Sequence, residues 1–271
     1  MVRTGDEGDV MDRFSLKDRV ALITGGGRGI GAGIARGFVE AGAAVVVVAR
    51  TQADVEALAD EVRAGGGRAL ALTADVRDLD ALPGLVERTV EEFGGLDILV
   101  NNAGGEVSPP FLETRPSHIT DAVHFNVVVP FELSRVAVPH LLERPGASII
   151  NISSTTTLVS VRGSLAHHTG KAAESQLTLS MAADLSPRIR VNAILPAAVE
   201  TEALARYFEA KDPTMRDRLA NQSRMRRMGT PDDVASAAIY LASPAASWVT
   251  GLLMVIDGGK VDEFKEIYPD L

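Results

Sequence analysis

Seven short apolar runs punctuate the chain: VALIT (20–24), AVVVVA (44–49), ALALT (69–73), LDILV (96–100), ASIINI (147–152), IRVNAIL (189–195) and LLMVI (252–256). Each is apolar nearly throughout and does not alternate with polar residues, as expected of strands covered on both faces. Helix-length segments separate them. That rhythm predicts a parallel, doubly wound seven-stranded sheet with right-handed crossovers and helices on both faces. The 271 residues suffice for one such domain. Turn chemistry agrees: Gly65, Gly66 and Gly67 break the chain before the third run, and TPDD (230–233) reads as a capping box with proline at the first helical position. The exception is a polar, irregular stretch over 202–228, whose length suits a lid or binding segment better than filler. Residues 1–15 read as a flexible N-terminal tail, with Met11 an alternative start, and 16–271 as a single domain.

Composition narrows the function classes. Lys+Arg is 27 against 36 Asp+Glu, a net charge of −9, so no nucleic-acid partner is expected. There is no cysteine, which removes disulfide frameworks, thiol nucleophiles and thiolate metal sites. The longest apolar run, 43–49, is far too short to span a bilayer, and the acidic first residues lack an apolar signal segment. The expectation is a soluble, cytoplasmic protein with no membrane partner.

TGGGRGIG (24–31) follows the first run directly and opens a helix. Glycines there let the backbone turn tightly and approach a ligand, while the helix N-terminus offers free N–H groups to a pyrophosphate. A mere tight turn is the alternative, and the strand-before, helix-after setting argues against it. The candidate contacts are Gly25, Gly27, Arg28, Gly29, Ile30 and Gly31.

The spacing T-G-x-x-x-G-I-G resembles the short-chain dehydrogenase/reductase family, and further motifs extend the resemblance over residues 16–260. These are NNAG (101–104), Asn126 within HFNVVVP, NISS (151–154), Lys171, VNAILPAAVET (191–201) and VTGLLMVIDGG (249–259). The resemblance implies a Rossmann-type fold and an oxidoreductase interconverting a small secondary alcohol and a carbonyl compound. It implies Asn102, Ala103 and Gly104 beside the cofactor, and Asp75 at the adenine followed by Val76. Pro196 and Thr201 belong to the segment closing over the nicotinamide, where Ala197 replaces the usual glycine. Asn126, Ser154 and Lys171 match catalytic residues, Lys171 also holding the nicotinamide ribose. Paired helices in the family imply a homo-oligomer, dimer or tetramer.

A second position, besides Ala197, departs from the pattern. The family's catalytic tyrosine lies four residues before the lysine, and here that residue is His167. His167 and Lys171, at i and i+4, share a helix face. An unperturbed imidazole titrates near about 6.5, and a neighbouring ammonium favours the neutral ring. Neutral imidazole is a competent base and a poor acid, so surviving chemistry should favour alcohol oxidation, with a rate deficit of ~10²–10⁴. The rival is a catalytically impaired protein that binds NADP(H) as a sensor or interaction subunit. Tyr207 swinging in from the 202–228 segment is a further alternative. No metal is expected, since His167 and His168 lack a third ligand at suitable spacing.

The second run ends in Ala49 followed by Arg50, where an acidic residue would favour NAD(H). With Arg28 in the glycine loop, two guanidiniums are available to a 2′-phosphate, so NADP(H) is the expected coenzyme and NAD(H) the alternative. Substrate walls are expected from 105–111, 155–159 and the 202–228 segment. Arg224, Arg226 and Arg227 read as surface charge, and His118, His124 and His140 as structural or solvated.

Overall fold

The computed structural model describes residues 10–105, 108–160, 162–212 and 214–259. Its centre is one parallel sheet of β1 (Val20–Thr24), β2 (Ala44–Ala49), β3 (Arg68–Thr73), β4 (Ile98–Asn101), β5 (Ser148–Ile152), β6 (Arg190–Pro196) and β7 (Leu253–Ile256), in the order β3-β2-β1-β4-β5-β6-β7. These are the seven apolar runs, their ends shifted by at most two residues.

The runs are continuous because successive strand side chains point to opposite faces and both faces are covered. Val45 and Val47 pack with Ile34, Phe38, Leu58 and Leu241 beneath α1 (Gly29–Glu40), α2 (Gln52–Ala64) and α9 (Pro231–Ala242). Leu22 and Val46 pack on the other face with Leu85, Leu133 and Met181 of α3 (Leu82–Phe93), α5 (Val129–Leu141) and α6 (Leu165–Leu185). Cover on both faces fails only at the sheet margins: Arg68 and Thr73 of β3 and Val255 of β7 are exposed, because an edge strand has a neighbour on one side only.

The strand order reverses between β1 and β4, which both pair with their neighbours in register: Leu22 lies beside Val46 on one side and Leu99 on the other. The loops leaving these strands run to opposite faces and open a crevice at the carboxyl end of the sheet, the usual ligand position in such folds.

Two boundaries differ from the sequence reading. Residues 1–9 lie outside the described residues, and Val10–Phe14, which the sequence reading placed in the tail, form a short 3-10 helix. Phe14 packs its ring 6.3 Å from that of Tyr240 and Leu16 is fully buried, so apolar surface ties this segment down. The 202–228 stretch is helical, not irregular, containing α7 (Glu202–Lys211) and α8 (Met215–Asn221). The side chain of Thr201 caps α7, its Oγ1 accepting from Leu204 N at 3.2 Å. A parallel bridge between Val199 and Gly229 closes the base of the excursion, so it leaves and rejoins the sheet at one place. At its far end the capping box is present: Thr230 Oγ1 accepts from Asp233 N and Asp233 Oδ2 from Thr230 N. Arg227 does more than carry surface charge, since its two terminal nitrogens donate to both oxygens of Asp233 at 2.6 and 2.8 Å.

Candidate active site and coenzyme cleft

A cleft of about 440 Å³ lies over the glycine loop and the ends of β2, β3 and β4. Of the residues expected at the coenzyme, Gly25, Gly27, Arg28, Gly29, Ile30, Arg50, Asp75, Val76, Asn102, Ala103, Gly104 and Thr201 line it. Gly31, Lys171 and Pro196 do not. Thr51, Asp54, Phe125 and Glu202 line it too, unforeseen in the sequence.

The glycine requirement is geometric. Gly25 has φ +63°, and a side chain on Gly31 would put its Cβ 2.3 Å from Gly25 O and 2.6 Å from Asn102 Nδ2. Arg28 precedes α1 without capping it through its side chain, so no side chain occupies the N–H groups of the first turn there. Thr24 stitches the two loops together: its Oγ1 accepts from Asn102 N and Ala103 N at 3.0 Å each, while Asn102 Nδ2 donates to Thr24 O and Gly25 O. A close-approaching backbone, open helix N–H groups and a braced loop fit the pyrophosphate of a dinucleotide.

Beyond Gly104 the cleft meets the residues expected to react. A Cβ on Gly104 would lie 2.9 Å from Lys171 Nζ and 3.0 Å from Asn126 Oδ1, so these two groups abut its backbone. Asn126 is fully buried in a π-turn, His124–Val128, that joins α4 (Pro116–Val123) to α5. Its Nδ2 donates to Ala122 O and its Oδ1 accepts from Gly105 N, both at 2.8 Å. Lys171, in α6, donates from Nζ to Ile152 O and to Glu174 Oε2, both at 2.8 Å. Burial pushes the Glu174 carboxyl upward in pKa while the Lys171 ammonium pulls it down.

Ser154 follows β5, and its Oγ accepts from Thr156 N at 3.2 Å. His167 is half-buried in the first turn of α6. Burial, and then the charges of Lys171 and His168, lower its pKa to about 4. Burial is the larger cause, one that the i, i+4 argument did not contain. Among the described residues no hydrogen bond joins the His167 ring to Ser154 or Lys171. The ring of His168 stands 6.1 Å from that of His167, and no group of three potential metal ligands exists among the described residues. The side chain of Tyr207, and Glu106 and Val107 of the expected substrate wall, lie outside the described residues.

Sequence reasoning also missed what holds the site. Ser108 Oγ accepts from Ala166 N at 2.9 Å and His167 N at 3.1 Å, capping α6 from another loop. Asn101 and Asn151 face each other in the β4–β5 ladder, Asn101 Nδ2 donating to Asn151 Oδ1, and Asn151 Nδ2 donates on to Thr178 Oγ1. Two asparagines ending adjacent apolar strands were the available signal, since a buried amide needs a partner. The three histidines set aside earlier have partners in two cases: His118 Nδ1 accepts from Arg115 N and His124 Nε2 lies 3.1 Å from Arg77 O.

Fold and cleft together define a dinucleotide-binding α/β protein. Residues 25–260 match the sequence profile of the family described as Enoyl-(Acyl carrier protein) reductase. An uncharacterized oxidoreductase of Mycobacterium tuberculosis is 44% identical over 92% of this chain and 95% of its own length. The 7alpha-hydroxysteroid dehydrogenase of Escherichia coli is 36% identical over 93% of this chain and 98% of its own. A solved 7 alpha-hydroxysteroid dehydrogenase, in complex with NADH and 7-oxo glycochenodeoxycholic acid, superposes with a TM-score of 0.88 at 36% identity, covering 94% and 98% of the two chains. The chain belongs to the short-chain dehydrogenase/reductase family and is an oxidoreductase of that type. Among the described residues no helix is long and apolar enough to cross a membrane.

Proposed function

We propose that this chain is an NADP(H)-preferring oxidoreductase that interconverts a secondary alcohol and a ketone, with His167 as its proton-transfer group. One observation carries the reading: a half-buried histidine with a pKa lowered to about 4 stands one helical turn before the buried Lys171. At neutral pH such a ring has a free lone pair and accepts the hydroxyl proton of an alcohol, as a weakened base, because a pKa this low reduces the driving force for the transfer. Ser154 uses its acceptor on Thr156 N, which leaves its O–H to donate to the substrate oxygen. Asn126, fixed at both ends of its amide, holds the Gly105 backbone and orients a water beside Lys171. Lys171 holds the nicotinamide ribose and Thr201 contacts the carboxamide. The coenzyme, when bound, supplies the hydride acceptor or donor.

The coenzyme preference rests on Arg28 and Arg50, which both line the cleft, and on the absence of an acidic residue at the end of β2. The 202–228 helices act as the lid over a partly apolar organic substrate. Phe131 of α5 and Leu179 of α6 are exposed, and a dimer or tetramer of this cytoplasmic protein would cover them.

The missing bond between His167 and Ser154 favours a second reading, a coenzyme-binding protein without turnover. The experiment is a panel of alcohols and ketones assayed with both nicotinamide coenzymes, for the native chain, His167→Ala and His167→Tyr, beside calorimetric coenzyme binding. Turnover by the native chain that His167→Ala loses supports the first reading. Binding without turnover in any variant selects the second, and no binding sinks both.

A further inference from the structure

The cleft is lined by the charged side chains of Arg28, Arg50, Asp54, Asp75 and Glu202, and the first three belong to the glycine loop, the end of β2 and the first turn of α2. Arg28 and Arg50 were both legible as phosphate ligands, but they are not equivalent. Arg28 Nε lies 2.9 Å from Asp54 Oδ2, with side-chain exposures of 51% and 25%. Among the described residues Arg50 makes no ion pair or hydrogen bond. We propose that Asp54 is a specificity-determining residue: it engages the Arg28 guanidinium and so opposes binding of a coenzyme bearing a 2′-phosphate. The inference rests on the reading of this cleft as a nicotinamide-coenzyme site, and it deepens that reading by identifying what limits the preference.

The carboxylate is well placed to compete. Asp54 lies in the first turn of α2, where the helix dipole favours a negative charge, and its backbone N–H donates to Thr51 O at 3.1 Å. The first turn of α2 also abuts the glycine loop, since a Cβ on Gly27 would lie 2.9 Å from Asp54 Cβ. The carboxylate therefore starts beside the loop that carries Arg28 and reaches its guanidinium without any movement of the helix.

A 2′-phosphate needs a guanidinium fork and carries close to two negative charges. To use Arg28 it must displace or share a carboxylate already bound there, and it gains an anionic neighbour. A coenzyme with a free 2′-hydroxyl meets no such repulsion, and a carboxylate accepts hydrogen bonds from ribose hydroxyls. Arg28 thus pulls the cleft toward NADP(H) and Asp54 pulls it back, leaving Arg50 as the guanidinium with no internal competitor.

The test is isothermal titration of the full-length protein with NADP⁺ and with NAD⁺, for native, Asp54→Asn, Arg28→Ala and the double variant. Asp60→Asn, an exposed acid on the same helix paired with Arg63, is the control for general charge. Asp54→Asn is expected to tighten NADP⁺ about fivefold, the scale of a half-exposed ion pair. NAD⁺ should change less than twofold or weaken, and Arg28→Ala should abolish the gain in the double variant. Asp54→Ser serves if Asp54→Asn misfolds. Unchanged constants overturn the inference, as does equal tightening of both coenzymes or a gain that survives Arg28→Ala. A native protein preferring NAD⁺ would defeat the proposed NADP(H) preference, and the Asp54→Asn shift in the ratio would still decide this inference.

Discussion

Lys171 Nζ lies 2.8 Å from Glu174 Oε2, three residues apart in α6, and their side chains are only 6% and 1% exposed. Lys171 also donates to Ile152 O, so its ammonium is shared between β5 and its own helix. A cation this deep is tolerated because a carboxylate and a carbonyl replace its water. The pair fixes where the ammonium stands relative to Gly104 and Asn126.

Removing one partner of this pair should be costly. Glu174→Ala leaves a buried ammonium without its counter-charge and is expected to destabilise the protein by about 3–5 kcal/mol. Glu174→Gln keeps an acceptor at the same place and should cost clearly less. Thermal melts compare the two. Equal midpoints for Glu174→Ala and the native chain would contradict a structural role for the pair.

The pH dependence follows from His167. Its folded pKa of about 4 lies below the ordinary value of 6.5, with burial the first cause. The ring is neutral in the folded chain over the whole range in which the unfolded chain takes up a proton. Stability referred to this group is therefore fully present above pH 6.5 and is lost as pH falls through 4. Alcohol oxidation should be flat from about pH 6 to 8 and fall toward pH 4. Ketone reduction by a ring protonated in only about one molecule per 10³ at pH 7 should be far slower and rise as pH drops. A pH–rate profile whose oxidation limb titrates near 7 would contradict the assignment.

The strands were legible because an inner parallel strand writes its burial into consecutive residues such as AVVVVA. The glycine loop was legible because close approach admits no side chain, as the contacts at Gly31 require. What escaped had no local signature. Ser108 caps a helix 58 residues away, and Asp54 reaches Arg28 only because α2 returns to the glycine loop. The lowered pKa of His167 depends mostly on burial, which the sequence does not state residue by residue. The helices of 202–228 were hidden by polar composition, since an exposed helix needs little apolar surface.

Ser108 should behave as a helix cap despite its distance in sequence. Ser108→Ala removes the acceptor of two N–H groups at the start of α6, at a cost of about 1–2 kcal/mol. Hydrogen exchange should accelerate at Ala166 and His167 while the sheet stays protected. Unchanged exchange at these two amides would show that another group caps the helix.

A methyl group on Gly31 would stand 2.3 Å from Gly25 O and 2.6 Å from Asn102 Nδ2, so Gly31→Ala must move either the glycine loop or the loop after β4. Overpacking of this kind costs about 1–3 kcal/mol. The displacement falls on the Thr24 and Asn102 hydrogen bonds that join the two loops, so coenzyme affinity should fall more steeply than stability. Calorimetry of NADP⁺ binding and a thermal melt of the same variant separate the two effects. Native affinity in a destabilised Gly31→Ala chain would mean that the coenzyme does not use this cradle.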